Sequence, residues 1–174
     1  MMSRIDVIEA DISTLSVDAI VNAANSSLLC GGGVDGAIHR AAGPRLLGAT
    51  RKIGGCPTGQ ARLTPGFDLP AKWVIHTVGP VWQGGLAGED ELLASCYRES
   101  LKLAASVGAT TVAFPAISTG AYGFPLERAA RIAVDEIVSH LGRHPEIERT
   151  YIAVRGDEAM RIHSEALAKR LSGS

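Results

Sequence analysis

The chain has 174 residues, long enough for one substantial core and too short for two ordinary domains, so a single domain over 1–174 is expected. With 46% hydrophobic and 20% charged residues and a net charge of −1, it lacks a global electrostatic pull on nucleic acid or a membrane surface, and its partners must be recognised locally. Cys30, Cys56 and Cys96 are odd in number and widely spaced, which excludes a disulfide framework or a Cys-x-x-Cys metal knuckle and fits a reducing cytoplasm; no apolar leader region or membrane-length apolar run appears.

Ile5, Val7 and Ile8 predict a first strand ending at Ala10-Asp11, and the more continuous apolar run over 17–21 predicts a second, central one. Two asparagines, Asn22 and Asn25, and the run Gly31-Gly32-Gly33 follow it. A short helix is expected over 34–42, closed by Gly43-Pro44, with Leu46 and Leu47 continuing for a turn or two until Gly54-Gly55. Strands over 61–64 and 73–78, joined through Pro65-Gly66, read as an antiparallel pair. A helical stripe covers 89–107 and stops at Gly108, a buried strand covers 111–116, and a second glycine loop occupies 118–124. Pro125 is placed at the first position of a helix reaching about Leu141, and a strand over 150–154 and a helix over 157–171 complete the chain. Alternating strands and helices predict an α/β fold with a mostly parallel or mixed sheet covered on both faces. In such sheets ligands sit beyond the carboxyl ends of the strands, where both glycine loops fall.

Three glycines in a row sacrifice packing and backbone entropy, a pattern suited to close approach of the main chain to an anion at a helix start. The run Gly31-Gly32-Gly33-Val34-Asp35-Gly36 satisfies the dinucleotide fingerprint literally, but five residues separate it from the asparagine-bearing strand exit. No Asp or Glu occurs from Gly36 to Phe67 to hold a ribose in the Rossmann manner. A Walker pattern is absent too. Two glycine loops before two helices favour a diphosphate over a flexible connection.

Asp35 reads either as a first-turn acid favoured by the helix dipole or as a general base, since a carboxylate is unwelcome in a purely passive phosphate cradle. Asn25 suits a ribose hydroxyl or a turn, and Asn22, nearer the strand, suits a structural hydrogen bond. His39 lies one helical turn after Asp35; an Asp-His hydrogen bond is the better reading than a metal pair, because no third ligand is evident. Asp11 is equally a turn aspartate or an acceptor for an exocyclic amine. Tyr122 and Phe124 suit either a nucleoside contact or the core. Cys30 reads as a small residue in a tight loop, His76 as a satisfied core histidine, and Arg40, Arg45, Arg51, Lys52 and Arg62 as a basic arc on a solvated face or a steering surface.

Together, Asp11-Ile12, residues 17–25, residues 31–39, Thr77-Val78-Gly79-Pro80 and residues 114–120 resemble the macrodomain family, and within it the MacroD-type branch that includes bacterial O-acetyl-ADP-ribose deacetylases. The resemblance implies a three-layer α/β/α sandwich on a mixed six-stranded sheet, with ADP-ribose as ligand and neither metal nor cofactor. It implies adenine recognition by Asp11 and Ile12, and diphosphate binding around Gly32, Gly33 and Val34 and by Ser118, Thr119, Gly120, Ala121 and Tyr122, with Phe124 against the nucleoside. Asn25 and Asp35 match the family's catalytic pair, which in this branch hydrolyses O-acetyl-ADP-ribose and releases mono-ADP-ribose from acidic side chains of proteins. Ala10 and Cys30 depart from the usual glycines. The alternatives are a non-catalytic ADP-ribose-binding module and a regulatory partner of RNA-processing machinery, the near-neutral charge giving direct nucleic-acid binding no support.

Overall fold

A computed structural model describes residues 4–173; residues 1–3 and 174, and with them the outermost ends of the expected domain, lie outside the described residues. The β-branched and apolar runs form six strands: β1 (Ile5–Glu9), β2 (Ala19–Ala23), β3 (Ala61–Pro65), β4 (Trp73–Thr77), β5 (Thr111–Phe114) and β6 (Arg149–Val154). They make one sheet in the order β1-β6-β5-β2-β4-β3. Neighbouring strands are parallel except β3 and β4, the expected antiparallel pair. The helices are α1 (Gly33–Ala42), α2 (Pro44–Ile53), α3 (Glu89–Ser106), α4 (Leu126–Leu141) and α5 (Asp157–Ser172), with a 3-10 turn at Ile12–Thr14.

Strand alternation sorts the core into two layers. On β2, Ala19 and Val21 join Leu93, Tyr97 and Val134 from α3 and α4 on one face, whereas Ile20 meets Ile38, Ala42 and Leu46 from α1 and α2 on the other. Parallel strands covered on both sides have no polar face to present, which is why β2 reads as continuously apolar until Asn22. Each fully buried aliphatic side chain in these layers contributes about 1.5–3 kcal/mol of transfer free energy. The result is the α/β/α sandwich that the resemblance implied.

Several boundaries differ from the expected ones. β2 begins two residues later than 17–21, because Asp18 is held in the entry loop: its Oδ2 accepts from Thr110 N at 2.8 Å, Thr110 Oγ1 at 2.9 Å and Thr111 N at 3.3 Å, and its own N–H donates to Thr111 Oγ1 at 2.8 Å. Those bonds keep the Asp18 carboxyl below its ordinary value. β5 stops at Phe114, before Pro115. α2 runs ten residues rather than one or two turns, from Pro44 to a left-handed Gly54, and Pro125 caps α4 instead of starting it. Among the described residues no helix is long and apolar enough to cross a membrane.

Candidate active site

β2 and β5 are parallel neighbours, but the chain leaves β2 for α1 on one face of the sheet and leaves β5 for α4 on the other. Their diverging exits open a crevice at the carboxyl ends of the strands, the expected ligand position in an open α/β sheet. A cleft of about 360 Å³ occupies it. Asn25, Gly32, Gly33, Val34 and Asp35 line one wall, and Ser118, Gly120, Ala121 and Tyr122 the other. Ala23, Ala24, Pro115 and Ala116 also line the cleft, and sequence reasoning had not singled them out. Their only sequence signal is short, uncharged side chains at or just past a strand end, which lets the floor of the cleft lie close to the sheet.

Loop 1, residues 24–32, is organised around a carboxylate. Asp35, 5% exposed, accepts from Asn22 Nδ2 at 2.8 Å through Oδ1 and from Gly31 N at 2.9 Å through Oδ2. His39 Nε2 stands 3.3 Å from the same Oδ1, one helical turn along α1. Asn25 makes a local turn, donating from Nδ2 to Leu29 O at 3.0 Å and accepting from Ser27 Oγ at 2.5 Å. A Cβ placed on Gly31 would lie 3.2 Å from Asn25 Nδ2 and 3.3 Å from Asp35 Oδ2, so the two functional groups flank that one glycine. Gly32 and Gly33 face open space, and Gly33 sits at φ +58, which an L-residue adopts only with strain. Leu28, at φ 59, tolerates the left-handed region because its side chain is buried with Ala24, Cys56 and Val78.

Loop 2, residues 115–124, is braced by main-chain bonds: Phe124 N to Ser118 O at 2.9 Å, Gly123 N to Gly120 O at 3.0 Å and Trp82 N to Tyr122 O at 2.8 Å. Ser118 is the strained residue here, at φ 67, and its buried Oγ has no hydrogen-bond partner among the described residues. That hydroxyl abuts Gly79, where a Cβ would come within 2.1 Å of it. Thr119 turns its hydroxyl onto Ala116 O at 2.8 Å, and Phe124 is buried in the core with its ring 4.8 Å from that of Trp82. The structure therefore brings neither Thr119 nor Phe124 to the cleft wall; Phe124 supports the loop from beneath. Behind Trp82, the Glu89 carboxylate takes the amides of Gln83, Gly85 and Ala87 at 2.7–2.9 Å, which hold its pKa down to about 2.

Asp11 and Ile12 lie apart from this cleft wall, beyond the end of β1. Asp11 caps the 3-10 turn, its Oδ1 accepting from Ser13 N at 3.0 Å and Ser13 Oγ at 2.7 Å; these bonds, with Arg155 and Arg40 nearby, hold its carboxyl below the ordinary value. Among the described residues, no group of three His, Cys, Asp or Glu side chains is placed to hold a metal ion.

Residues 21–133, which contain both loops, the end of β2 and all of β5, match the Macro domain family model. The chain belongs to this family. The macrodomain is 58% identical to a macro domain-containing protein of Methanosarcina mazei, over 98% of this chain and 91% of that one. It is 52% identical to a protein of Escherichia coli strain K12 named O-acetyl-ADP-ribose deacetylase, over 98% of both chains. Among solved structures, the Oceanobacillus iheyensis macrodomain with ADP superposes with a TM-score of 0.93 at 39% identity, covering 97% of this chain and 92% of that one. The macrodomain's three cysteines are all free: Cys30 is exposed in loop 1, while Cys56 and Cys96 are buried. Burial raises the thiol pKa of both buried cysteines, that of Cys96 to about 11.

Proposed function

We propose that this macrodomain is a hydrolase of ADP-ribosyl esters that deacetylates O-acetyl-ADP-ribose and removes mono-ADP-ribose from acidic side chains of proteins. The observation that carries the reading is the pairing of the Asp35 carboxylate and the Asn25 amide on either side of Gly31, at the wall of the β2/β5 cleft. Both loops turn glycines toward that cleft, where backbone N–H groups suit a diphosphate. Adenine is assigned to Asp11 and Ile12, and the distal ribose to Asn25, which leaves the ester beside Asp35.

In this reading Asp35 is the general base. A water between its carboxylate and the diphosphate gives up a proton to Asp35 as its oxygen attacks the ester, and Asp35 returns that proton to the departing oxygen as the C–O bond breaks. Attack at the acyl carbon or at a ribose carbon breaks a different C–O bond but yields the same acid and the same free ADP-ribose. Asn22 and Gly31 fix the carboxylate, so little reorganisation is needed when the proton moves. The name of the E. coli relative supports the acetyl-ester activity, and extension to protein-linked esters rests on the shared chemistry of an acyl group on ribose. Action in the cytoplasm accords with three free thiols.

A buried acid at the cleft argues against a binding-only module, because its charge repels that of the ligand's diphosphate. The test measures ADP-ribose affinity by calorimetry beside turnover of O-acetyl-ADP-ribose and of a glutamate-linked mono-ADP-ribosylated protein. Release of acetate and of ADP-ribose is expected; tight binding without turnover of either substrate overturns the hydrolase reading, and turnover of the small ester alone restricts it to deacetylation.

A further inference from the structure

The Asp35 carboxylate is the visible end of a polar chain that runs beneath the cleft and across three strands. Asn22 on β2, His76 on β4 and Thr64 on β3 all face the α1/α2 layer, and Asn22 and His76 are register partners in the parallel ladder. All three are buried, His76 at 1% exposure. Asn22 Nδ2 donates to Asp35 Oδ1 at 2.8 Å and lies 3.1 Å from His76 Nδ1, while His76 Nε2 lies 2.9 Å from Thr64 Oγ1.

These contacts admit one assignment of protons. Nδ2 is a donor only, so His76 Nδ1 accepts from it; the imidazole proton is then on Nε2 and is given to the Thr64 hydroxyl. A protonated ring would oppose N–H to N–H. Burial, with His39 as the lesser influence, pulls the His76 pKa down to about 3, so the neutral ring persists throughout the neutral range. Turning the Asn22 amide over would set its carbonyl against the Asp35 carboxylate. The observed orientation is held even though it leaves Asn22 Oδ1 buried without a partner among the described residues. Something must offset that loss, and the acceptor at His76 Nδ1 occupies the other Nδ2 proton.

We infer that His76 is a positioning residue for the hydrolytic site: together with Thr64 it locks the Asn22 amide in the orientation that aims the Asp35 carboxylate at the cleft. His76 does not line the cleft and touches no substrate, so its effect falls on the chemical step and not on ligand binding. This inference rests on Asp35 being the base.

The experiment compares His76→Leu, His76→Asn and Thr64→Val with the wild type and Asp35→Ala, reading kcat and KM for O-acetyl-ADP-ribose, ADP-ribose affinity, and imidazole 15N shifts. His76→Leu removes the acceptor, and kcat is expected to fall about 10- to 100-fold, the scale of a misplaced catalytic group, with KM and ADP-ribose affinity held. His76→Asn keeps an acceptor oxygen near the Nδ1 position and should return kcat to within about threefold of the wild type, the scale of one imperfect hydrogen bond. Thr64→Val unlocks the tautomer, and a mixed 15N signature with kcat lowered about threefold is expected. If His76→Leu does not fold, the other two variants decide. Unchanged kcat in His76→Leu or Thr64→Val, loss of kcat that His76→Asn does not restore, or a wild-type ring protonated on Nδ1, each overturns the role of His76 while leaving Asp35 intact. Full turnover by Asp35→Ala overturns the base assignment itself, and the catalytic role of His76 with it.

Discussion

Loop 1 and loop 2 look alike in the sequence, each a glycine-rich exit from a strand before a helix, yet they are built on opposite principles. Loop 1 folds around side chains: Asp35 gathers Asn22, Gly31 and His39, and Asn25 closes a turn with Ser27 and Leu29. Loop 2 folds around its main chain and the core beneath it, with Trp82 and Phe124 as props and Ser118 wedged on Gly79. Each loop holds one non-glycine residue at positive φ, Leu28 in the first and Ser118 in the second. The first wall presents a carboxylate and an amide; the second presents main-chain N–H groups together with the Tyr122 side chain. Cradle composition alone therefore does not separate catalysis from binding, and the acid tied into one wall is the feature to test.

Four substitutions break or sharpen this contrast. Removing the organiser of loop 1 has the largest effect: Asp35→Ala is expected to lower turnover of O-acetyl-ADP-ribose by about 10²–10⁴-fold, the usual contribution of a positioned base. ADP-ribose binding, measured by calorimetry, should survive or strengthen as a negative charge leaves the site. Next, Gly79→Ala strikes the support of loop 2, since its Cβ would meet Ser118 Oγ at 2.1 Å and Ile117 Cγ2 at 2.7 Å. Thermal unfolding should show a loss of about 1–3 kcal/mol from overpacking, accompanied by weaker ADP-ribose binding as the wall is displaced.

A smaller effect, confined to acid, is expected at Glu89. Its carboxyl is held at about 2 in the folded chain against an ordinary 4.5. A depressed carboxyl contributes stability that is present above its unfolded pKa and is lost as pH falls through the folded one. Urea unfolding of the wild type should therefore weaken between pH 4.5 and 2, and Glu89→Gln should flatten that part of the profile. Smallest of all is Ser118→Ala. The hydroxyl is buried, without a partner among the described residues and turned to Gly79, so its removal should raise stability by up to about 1 kcal/mol and change ADP-ribose affinity by less than about twofold. A large loss of affinity in Ser118→Ala would show that loop 2 also binds through a side chain.

The order of elements and the antiparallel edge pair were legible in the sequence because hydrophobic periodicity and Gly-Pro punctuation are local signals. The boundaries that moved were set at a distance. β2 starts at Ala19 because Asp18 is anchored by Thr110 and Thr111, ninety-odd residues away, a tie that no window around 17–21 contains. α2 was underestimated because its buried side chains are only Leu46 and Thr50, too few to make a stripe. At the site, Asn22 and His76 were read as structural hydrogen-bonding residues, and they do hydrogen-bond, to each other and to Asp35 and Thr64. Their mutual contact was invisible, since it depends on strand register. Phe124 and Tyr122 were indistinguishable by type; the structure separates them by sending one ring into the core against Trp82 and leaving the other at the cleft.

The uneven fate of the three thiols gives loop 1 a built-in handle. Cys56 and Cys96 are sealed in the interior and their ionisation is suppressed, whereas Cys30 lies in the open at the threshold of the glycine run. A maleimide dye at neutral pH should therefore couple once per native molecule, giving one adduct mass, and report ligand entry as a fluorescence change without any engineered residue.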